Sequence, residues 1–164
     1  MIKIFEKFIP RMACQQIIQE GRVRPQMDAG IGKDNIKSEG RSTHVTFINN
    51  SFLKSVIYDL VAFNYDYTIE EAEDLQFATY RTDDFYGLHK DADEENNRVL
   101  SVTVQLSKTS EYEGGDLVFD YDRHSMPRVQ GTVIIFPSNL YHEVTPVTRG
   151  TRYSLVQWFK GKEK

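Results

Sequence analysis

The residues best suited to chemistry in this chain are His89, Asp91, His142 and Arg152. His89 and Asp91 are separated by one residue, and on extended backbone positions i and i+2 project to the same side. An imidazole nitrogen and a carboxylate oxygen can therefore reach one ion, and His142, far along the chain, can supply a third donor. Two histidines and one carboxylate on one face are the donor set of non-haem ferrous centres, which keep other coordination positions open. A His-x-Asp triplet alone is a weak signal, because it arises by chance and is often just a hydrogen-bonded surface pair. Its weight here comes from His142 and from the arginine beyond it.

Arg152 follows the turn Thr145-Pro146-Val147-Thr148-Arg149-Gly150. On a strand over 151–159, Arg152, Ser154, Val156 and Trp158 share one face, and Tyr153, Leu155, Gln157 and Phe159 the other. An inward guanidinium needs an anionic partner, because an unpaired interior charge is prohibitively costly. Two readings stand: an internal Asp or Glu, or the carboxylate of a bound acid, which the planar fork of arginine can grip with two hydrogen bonds. A cation beside a hydroxyl and an indole fits a ligand pocket better than a plain core. On 98–107, Leu100, Val102, Val104 and Leu106 share one face, while Val99, Ser101, Thr103 and Gln105 make an opposite face unusually polar for an interior.

These residues need elements to position them. Apolar residues at 12, 14, 17 and 18 predict a short helix over 10–21, with Pro10 in its first turn and Gly21 at its end. The stretch 23–40 has glycines, a proline and scattered charge without a period, and reads as a long loop. A strand over 43–48 follows, then Asn49-Asn50-Ser51 as a cap for a second helix with Phe52, Leu53, Val56, Ile57, Leu60 and Val61 at helical spacing. Both helices are expected to lay their apolar faces on a sheet. From Leu75 onward, short β-branched and aromatic runs over 75–81, 98–107, 115–120, 131–137 and 151–159 indicate an antiparallel sandwich or barrel. The lysine-rich tail 160–164 is expected to fray.

At 164 residues, with 40% apolar and 27% charged residues of mixed sign, the chain has the length and composition of one folded domain. A net charge of −4 without any Lys/Arg block argues against a nucleic-acid partner. The lone Cys14 cannot form an internal disulfide, and no run reaches the ~20 apolar residues of a membrane span. A cytoplasmic location and no membrane partner are the expectation.

The motifs in order resemble the 2-oxoglutarate/Fe(II) dioxygenases of the prolyl 4-hydroxylase type, including their small bacterial and phage-like members. The resemblance runs from about Leu75 to Phe159. It rests on Ala78-Thr79-Tyr80-Arg81, Tyr86-Gly87-Leu88-His89-Lys90-Asp91, Arg98 through Ser107, Glu113-Gly114-Gly115-Asp116, Gly131 through Pro137, His142-Glu143-Val144 and Gly150-Thr151-Arg152-Tyr153-Ser154. It implies an α+β, mainly β fold, a double-stranded β-helix of jelly-roll, cupin-like form, with helical support over about 1–70 and the core over about 75–160 of a single domain. It implies Fe(II) on His89, Asp91 and His142, and 2-oxoglutarate on Arg152 with Tyr80, Gln105 and Ser154. Tyr86, Val144 and Trp158 are expected at the substrate pocket. Oxygen is the implied co-reactant and ascorbate an implied auxiliary. Gln105 departs from the family, several of whose members place a second tyrosine there, but its amide can still donate to a carboxylate.

The implied reaction is hydroxylation of a C–H bond, on a prolyl residue of a peptide or protein, with succinate and CO2 as coproducts. The same ligands serve oxygenases of free amino acids and other small molecules, so substrate class stays open. A nucleic-acid demethylase is disfavoured because no second arginine closely follows Arg152. A non-catalytic cupin-like metal-binding module would have no need of the full constellation, and an isomerase or zinc hydrolase on the same barrel rarely needs an inward arginine. The loops 23–40, 82–87 and 121–129 are the expected groove walls, and the acidic stretch 91–95 a solvated loop that can steer a basic substrate. His44 and His124 read as ordinary polar histidines, and Gly114-Gly115 as a tight turn.

Overall fold

The structure, a computed structural model, describes residues 1–29 and 40–164. Two helices, α1 (Arg11–Val23) and α2 (Ser51–Asn64), flank a set of antiparallel strands. In chain order the strands are β1 (Lys3–Phe5), β2 (Met27–Asp28), β3 (Arg41–Ser42), β4 (His44–Ile48), β5 (Tyr67–Ala72), β6 (Leu75–Tyr80) and β7 (Phe85–His89). They continue as β8 (Arg98–Gln105), β9 (Tyr112–Gly114), β10 (Leu117–Phe119), β11 (Val133–Pro137), β12 (His142–Val144), β13 (Val147–Gly150) and β14 (Arg152–Glu163). Among the described residues, the larger sheet runs β1-β11-β8-β14-β6-β4-β2, with β5 on the far half of β14. A second sheet, β10-β12-β7-β3, faces it, and β13 pairs with β9.

The larger sheet is covered on both faces. One face takes the helices: Cys14, Ile17, Leu53, Ile57 and Val61 pack with Phe77, Leu100, Val102, Val104, Leu155 and Phe159. Period-2 alternation turns the neighbours of these residues toward the second sheet, where Ala78, Tyr80, Ile134 and Phe136 meet Leu117, Phe119, Val144 and Val147. The polar side chains Ser101, Thr103, Gln105 and Ser154 are buried between the sheets as well.

Helix α2 starts as expected, with the Asn50 side chain accepting from Leu53 N at 2.9 Å. Helix α1 does not stop at Gly21. That residue is buried against Phe77, where a Cβ would lie 2.5 Å from a ring carbon, so the glycine permits close helix-to-sheet approach while the helix continues to Val23. The stretch expected as a loop over 23–40 contains the last turn residue of α1 and strand β2, paired through Met27↔Val45; its residues 30–39 lie outside the described residues. The tail does not fray through most of its length. Lys160, Lys162 and Glu163 pair with Glu71, Thr68 and Tyr67 of β5, and Lys160 Nζ sits 3.0 Å from Glu71.

Candidate metal centre and acid pocket

His89 ends β7 and His142 begins β12, and the antiparallel register sets them directly opposite each other. Asp91 follows two residues after His89, its main chain held by Asp91 N donating to Ser138 O at 2.9 Å. The three ligand atoms lie within 4.8 Å of one another. His89 Nε2 is 3.5 Å from Asp91 Oδ1, and His142 Nε2 is 3.6 Å from Asp91 Oδ2.

Both imidazoles are oriented from behind. His89 Nδ1 lies 2.7 Å from Gly87 O and His142 Nδ1 2.9 Å from Leu140 O, so each Nδ1–H donates to a carbonyl and each Nε2 keeps its lone pair for the shared centre. Burial works against the charge of Asp91, but the adjoining His89 and His142 and the Ser101 hydroxyl outweigh it and hold its carboxyl well below the usual range. Burial lowers the His142 pKa, with Asp91 opposing, which favours the neutral, ligating imidazole. Tyr86 stacks on His89 with ring centroids 3.5 Å apart and planes 9° from parallel, and the Arg41 guanidinium covers its other face at 4.1 Å. Burial pushes the Tyr86 phenol up to about 12.

Behind the metal-binding face, β14 carries Arg152 next to Tyr80 of β6, and Ser154 next to Gln105 of β8. Arg152 is 2% exposed. Its guanidinium donates to Gln105 Oε1 at 3.2 Å and Ser154 Oγ at 3.4 Å, and lies 5.1 Å from the Tyr80 ring centroid. Arg152 Nε is buried without any hydrogen-bond partner, and no carboxylate among the described residues pairs with this arginine. Of the two readings left open by the sequence, an internal Asp or Glu is therefore absent among the described residues. Gln105 accepts from Arg152 through its carbonyl oxygen, which leaves its amide hydrogens to donate.

One cavity joins these parts. It is lined by His89, Asp91, His142, Arg152, Tyr80 and Ser154, together with Tyr86, Val144 and Trp158. It continues into a groove of about 650 Å³ between β2–β4 and the segment after Asp91. Arg98 borders the groove, its guanidinium 4.0 Å over the Trp158 ring and bidentate to Glu73 at 2.7 Å on both oxygens. Trp158 Nε1 is buried and unpartnered.

One expectation about the groove fails. Among the described residues, none of 121–129 borders it, because Arg123 and Arg128 tie that segment to Glu143 and Asp116 elsewhere. The stretch 82–87 does reach the groove, through Tyr86, although Phe85–Gly87 belong to strand β7 rather than to a loop. Asp91, Ala92, Asp93 and Glu95 of the acidic stretch do border the groove, and Asn96 after them. His44 is also less ordinary than expected: it lies 3.4 Å from Asp28 and 3.6 Å from Asp84, carboxylates distant in sequence. Sequence reasoning also missed Ser138, whose hydroxyl is 2.8 Å from Ser101, itself bonded to Asp91. The polar face of β8 pointed to Ser101, whereas nothing in the sequence singles out Ser138.

The arrangement defines a class: facing antiparallel sheets that hold a facial His-Asp-His set with a buried, uncompensated arginine behind it. The chain belongs to the 2OG-Fe(II) oxygenase superfamily, whose model matches residues 75–160, just over half of its length. It is 29% identical over 150 residues to a PKHD-type hydroxylase of Prochlorococcus marinus, covering 89% of this chain and 67% of that protein. It is 29% identical to the PKHD-type hydroxylase YbiX of Escherichia coli, covering 86% and 66%. The chain thus spans about two thirds of the length of these curated relatives.

Among solved structures it resembles a Pseudomonas putida prolyl-4-hydroxylase with a TM-score of 0.82 at 23% identity, over 97% of this chain and 92% of that one. A Trichoplax adhaerens prolyl hydroxylase in complex with a hypoxia inducible factor peptide fragment gives 0.85 at 17% identity, over 98% and 83%. These likenesses are of fold, the double-stranded β-helix expected from the sequence. Among the described residues no helix is long and apolar enough to cross a membrane.

Proposed function

We propose that this protein is a 2-oxoglutarate-dependent Fe(II) dioxygenase that hydroxylates a prolyl residue in a peptide or protein. The observation that carries the reading is Arg152: a buried cation with only neutral partners, opening on the same cavity as His89, Asp91 and His142. A dicarboxylate that reaches from the metal to Arg152 satisfies both ends of the cavity. The donor set suits Fe(II), with one carboxylate and two neutral imidazoles on one face. When bound, iron and 2-oxoglutarate supply the oxidising chemistry, in which O2 gives one oxygen to succinate, with loss of CO2, and one to the product.

The chain's own residues do the rest. Arg152 binds the distal carboxylate, Gln105 and Ser154 fix the guanidinium plane, and the Gln105 amide and the Tyr80 phenol are available as donors beside it. His89, Asp91 and His142 hold the metal, oriented by the carbonyls of Gly87 and Leu140. Tyr86, Val144 and Trp158 line the same cavity and exclude water from the reacting centre. The unpartnered Trp158 Nε1–H is a donor suited to a substrate carbonyl.

A peptide is favoured over a free amino acid because the groove outside the cavity is extended and bordered by both charged and aromatic side chains. The peptide carried by the Trichoplax protein agrees with this choice. Ascorbate belongs to the proposal as a reductant that keeps the metal ferrous. So do the cytoplasm, as the compartment that keeps the Cys14 thiol reduced, and the action of 1–164 as one domain, with helices and sheet sharing an apolar cluster.

The test is anaerobic loading with Fe(II) and 2-oxoglutarate followed by oxygen. Succinate should form, rise with proline-containing peptides and vanish in His142→Ala. If Fe(II) binds stoichiometrically and no succinate forms with any peptide, the protein is a metal-binding module instead.

A further inference from the structure

The two histidine nitrogens straddle the Asp91 carboxylate, one nearest each oxygen, at 3.5 and 3.6 Å. Distance alone would let the carboxylate take an ion through either oxygen or through both. A chelating carboxylate would occupy two coordination positions and remove one that a bidentate oxoacid and O2 require between them.

The surroundings break this symmetry. Ser101 Oγ donates to Asp91 Oδ2 at 2.6 Å, the short separation of a charge-assisted hydrogen bond. A serine has one hydroxyl proton, and Ser101 gives its proton to the carboxylate. The Ser138 hydroxyl, 2.8 Å from Ser101 Oγ, must therefore be the donor to Ser101. The result is a directed chain from Ser138 to Ser101 to Asp91 Oδ2, each donation polarising the next. Both serines are 0% exposed, so water does not compete for these positions. Ser138 also accepts from Asp91 N and Ala92 N through its carbonyl, both at 2.9 Å, so one residue braces the main chain of Asp91 and, through Ser101, its side chain.

We propose that Ser101 is a positioning residue that reserves Oδ2 of Asp91, so that the carboxylate meets the metal through Oδ1 alone and the remaining positions stay open. The inference rests on the reading of His89, Asp91 and His142 as metal ligands. Mn(II), which accepts the same hard oxygen and imidazole donors, is the probe, and water-proton relaxation of the Mn(II)-loaded protein counts open positions filled by solvent.

In Ser101→Ala the freed carboxylate should chelate, and inner-sphere hydration should fall by about one third relative to wild type, as expected for two open positions instead of three on a six-coordinate ion. Ser101→Thr, which keeps the hydroxyl, should retain wild-type hydration. Ser138→Ala, which leaves Ser101 free to rotate, should give an intermediate fall and serves if Ser101→Ala does not fold. A folded Ser101→Ala protein that keeps wild-type hydration, or that no longer holds Mn(II), overturns the proposal. Failure of the wild-type chain itself to bind Mn(II) would instead overturn the metal-site reading.

Discussion

Replacing Arg152 with leucine separates the two roles open to a buried arginine, and the expected signs are opposite. In the free protein Arg152 is 2% exposed, with Nε unpartnered and, among the described residues, only the neutral Gln105 and Ser154 as acceptors. A charge held this way carries an effective desolvation penalty of several kcal/mol without a counter-charge to offset it. Leucine removes the penalty, so the ligand-free protein should be as stable as wild type or more so. On the ligand side, truncating one partner of a buried, hydrogen-bonded charge pair costs about 2–5 kcal/mol. At about 1.4 kcal/mol per tenfold, 2-oxoglutarate should bind ~30- to ~4000-fold more weakly. The assay is thermal unfolding of the Mn(II)-loaded protein without oxygen. With 2-oxoglutarate at ~100 times its wild-type Kd, the wild type gains about 2.7 kcal/mol, or about 5–11 °C in Tm for a chain of this size. Arg152→Leu should gain about 3 °C or less under the same conditions. A variant that loses several degrees when ligand-free, yet keeps the full ligand-induced rise, would refute the reasoning and make Arg152 a structural member of the core.

Stability of the metal-free protein should rise with pH across the range below the ordinary histidine value. Burial lowers the His142 pKa in the folded chain, so the unfolded chain binds the extra proton first as pH falls through about 6.5, and folding weakens. Asp91, lowered in the folded state, adds a second loss only in stronger acid, below its unfolded value near 3.9. Denaturant unfolding at a series of pH values checks both, and His142→Ala should flatten the upper limb. Gly114 has φ +68°, and a Cβ there would lie 2.2 Å from Pro146 O, so Gly114→Ala should cost about 1–3 kcal/mol from backbone strain, with more from the clash, in equilibrium unfolding. Cys14 is buried and its thiol is pushed up to about 11, so a thiol reagent should label it only as fast as the chain opens; rapid labelling of the native protein would contradict the packing of α1.

The sequence was most informative where one local rule decides the outcome. Alternation on β8 and β14 separated Leu100, Val102 and Val104 from Ser101, Thr103 and Gln105, and it set Arg152, Ser154, Val156 and Trp158 on one face; the structure buries these sets on opposite sides of the sheet. Asn50 capped α2 as its side chain chemistry requires. Where two rules compete, the sequence was silent. Gly21 reads as a stop by local preference, yet tertiary contact with Phe77 uses the same missing Cβ to admit the helix to the sheet. The tail reads as frayed by charge, yet pairing with β5 holds it as strand. Strands of two to four residues, such as β3, β9 and β13, are too short to show a period at all.

The same distinction explains which parts of the site were legible. A ligand declares itself by its own chemistry, so His89, Asp91, His142 and Arg152 stood out before any fold was known. A residue that orients a ligand has no such signature, because its role depends on what lies beside it. The turn after β11 shows how much depends on that. The carbonyl of Ser138 holds the main chain of Asp91, its hydroxyl meets Ser101, and two residues later the carbonyl of Leu140 accepts from His142 Nδ1. One short turn therefore fixes two of the three donors, and only the third, His89, is oriented from its own strand through Gly87 O. A change in the length of that turn should disturb Asp91 and His142 together while leaving His89 stacked on Tyr86, so the metal would be lost as a unit rather than ligand by ligand.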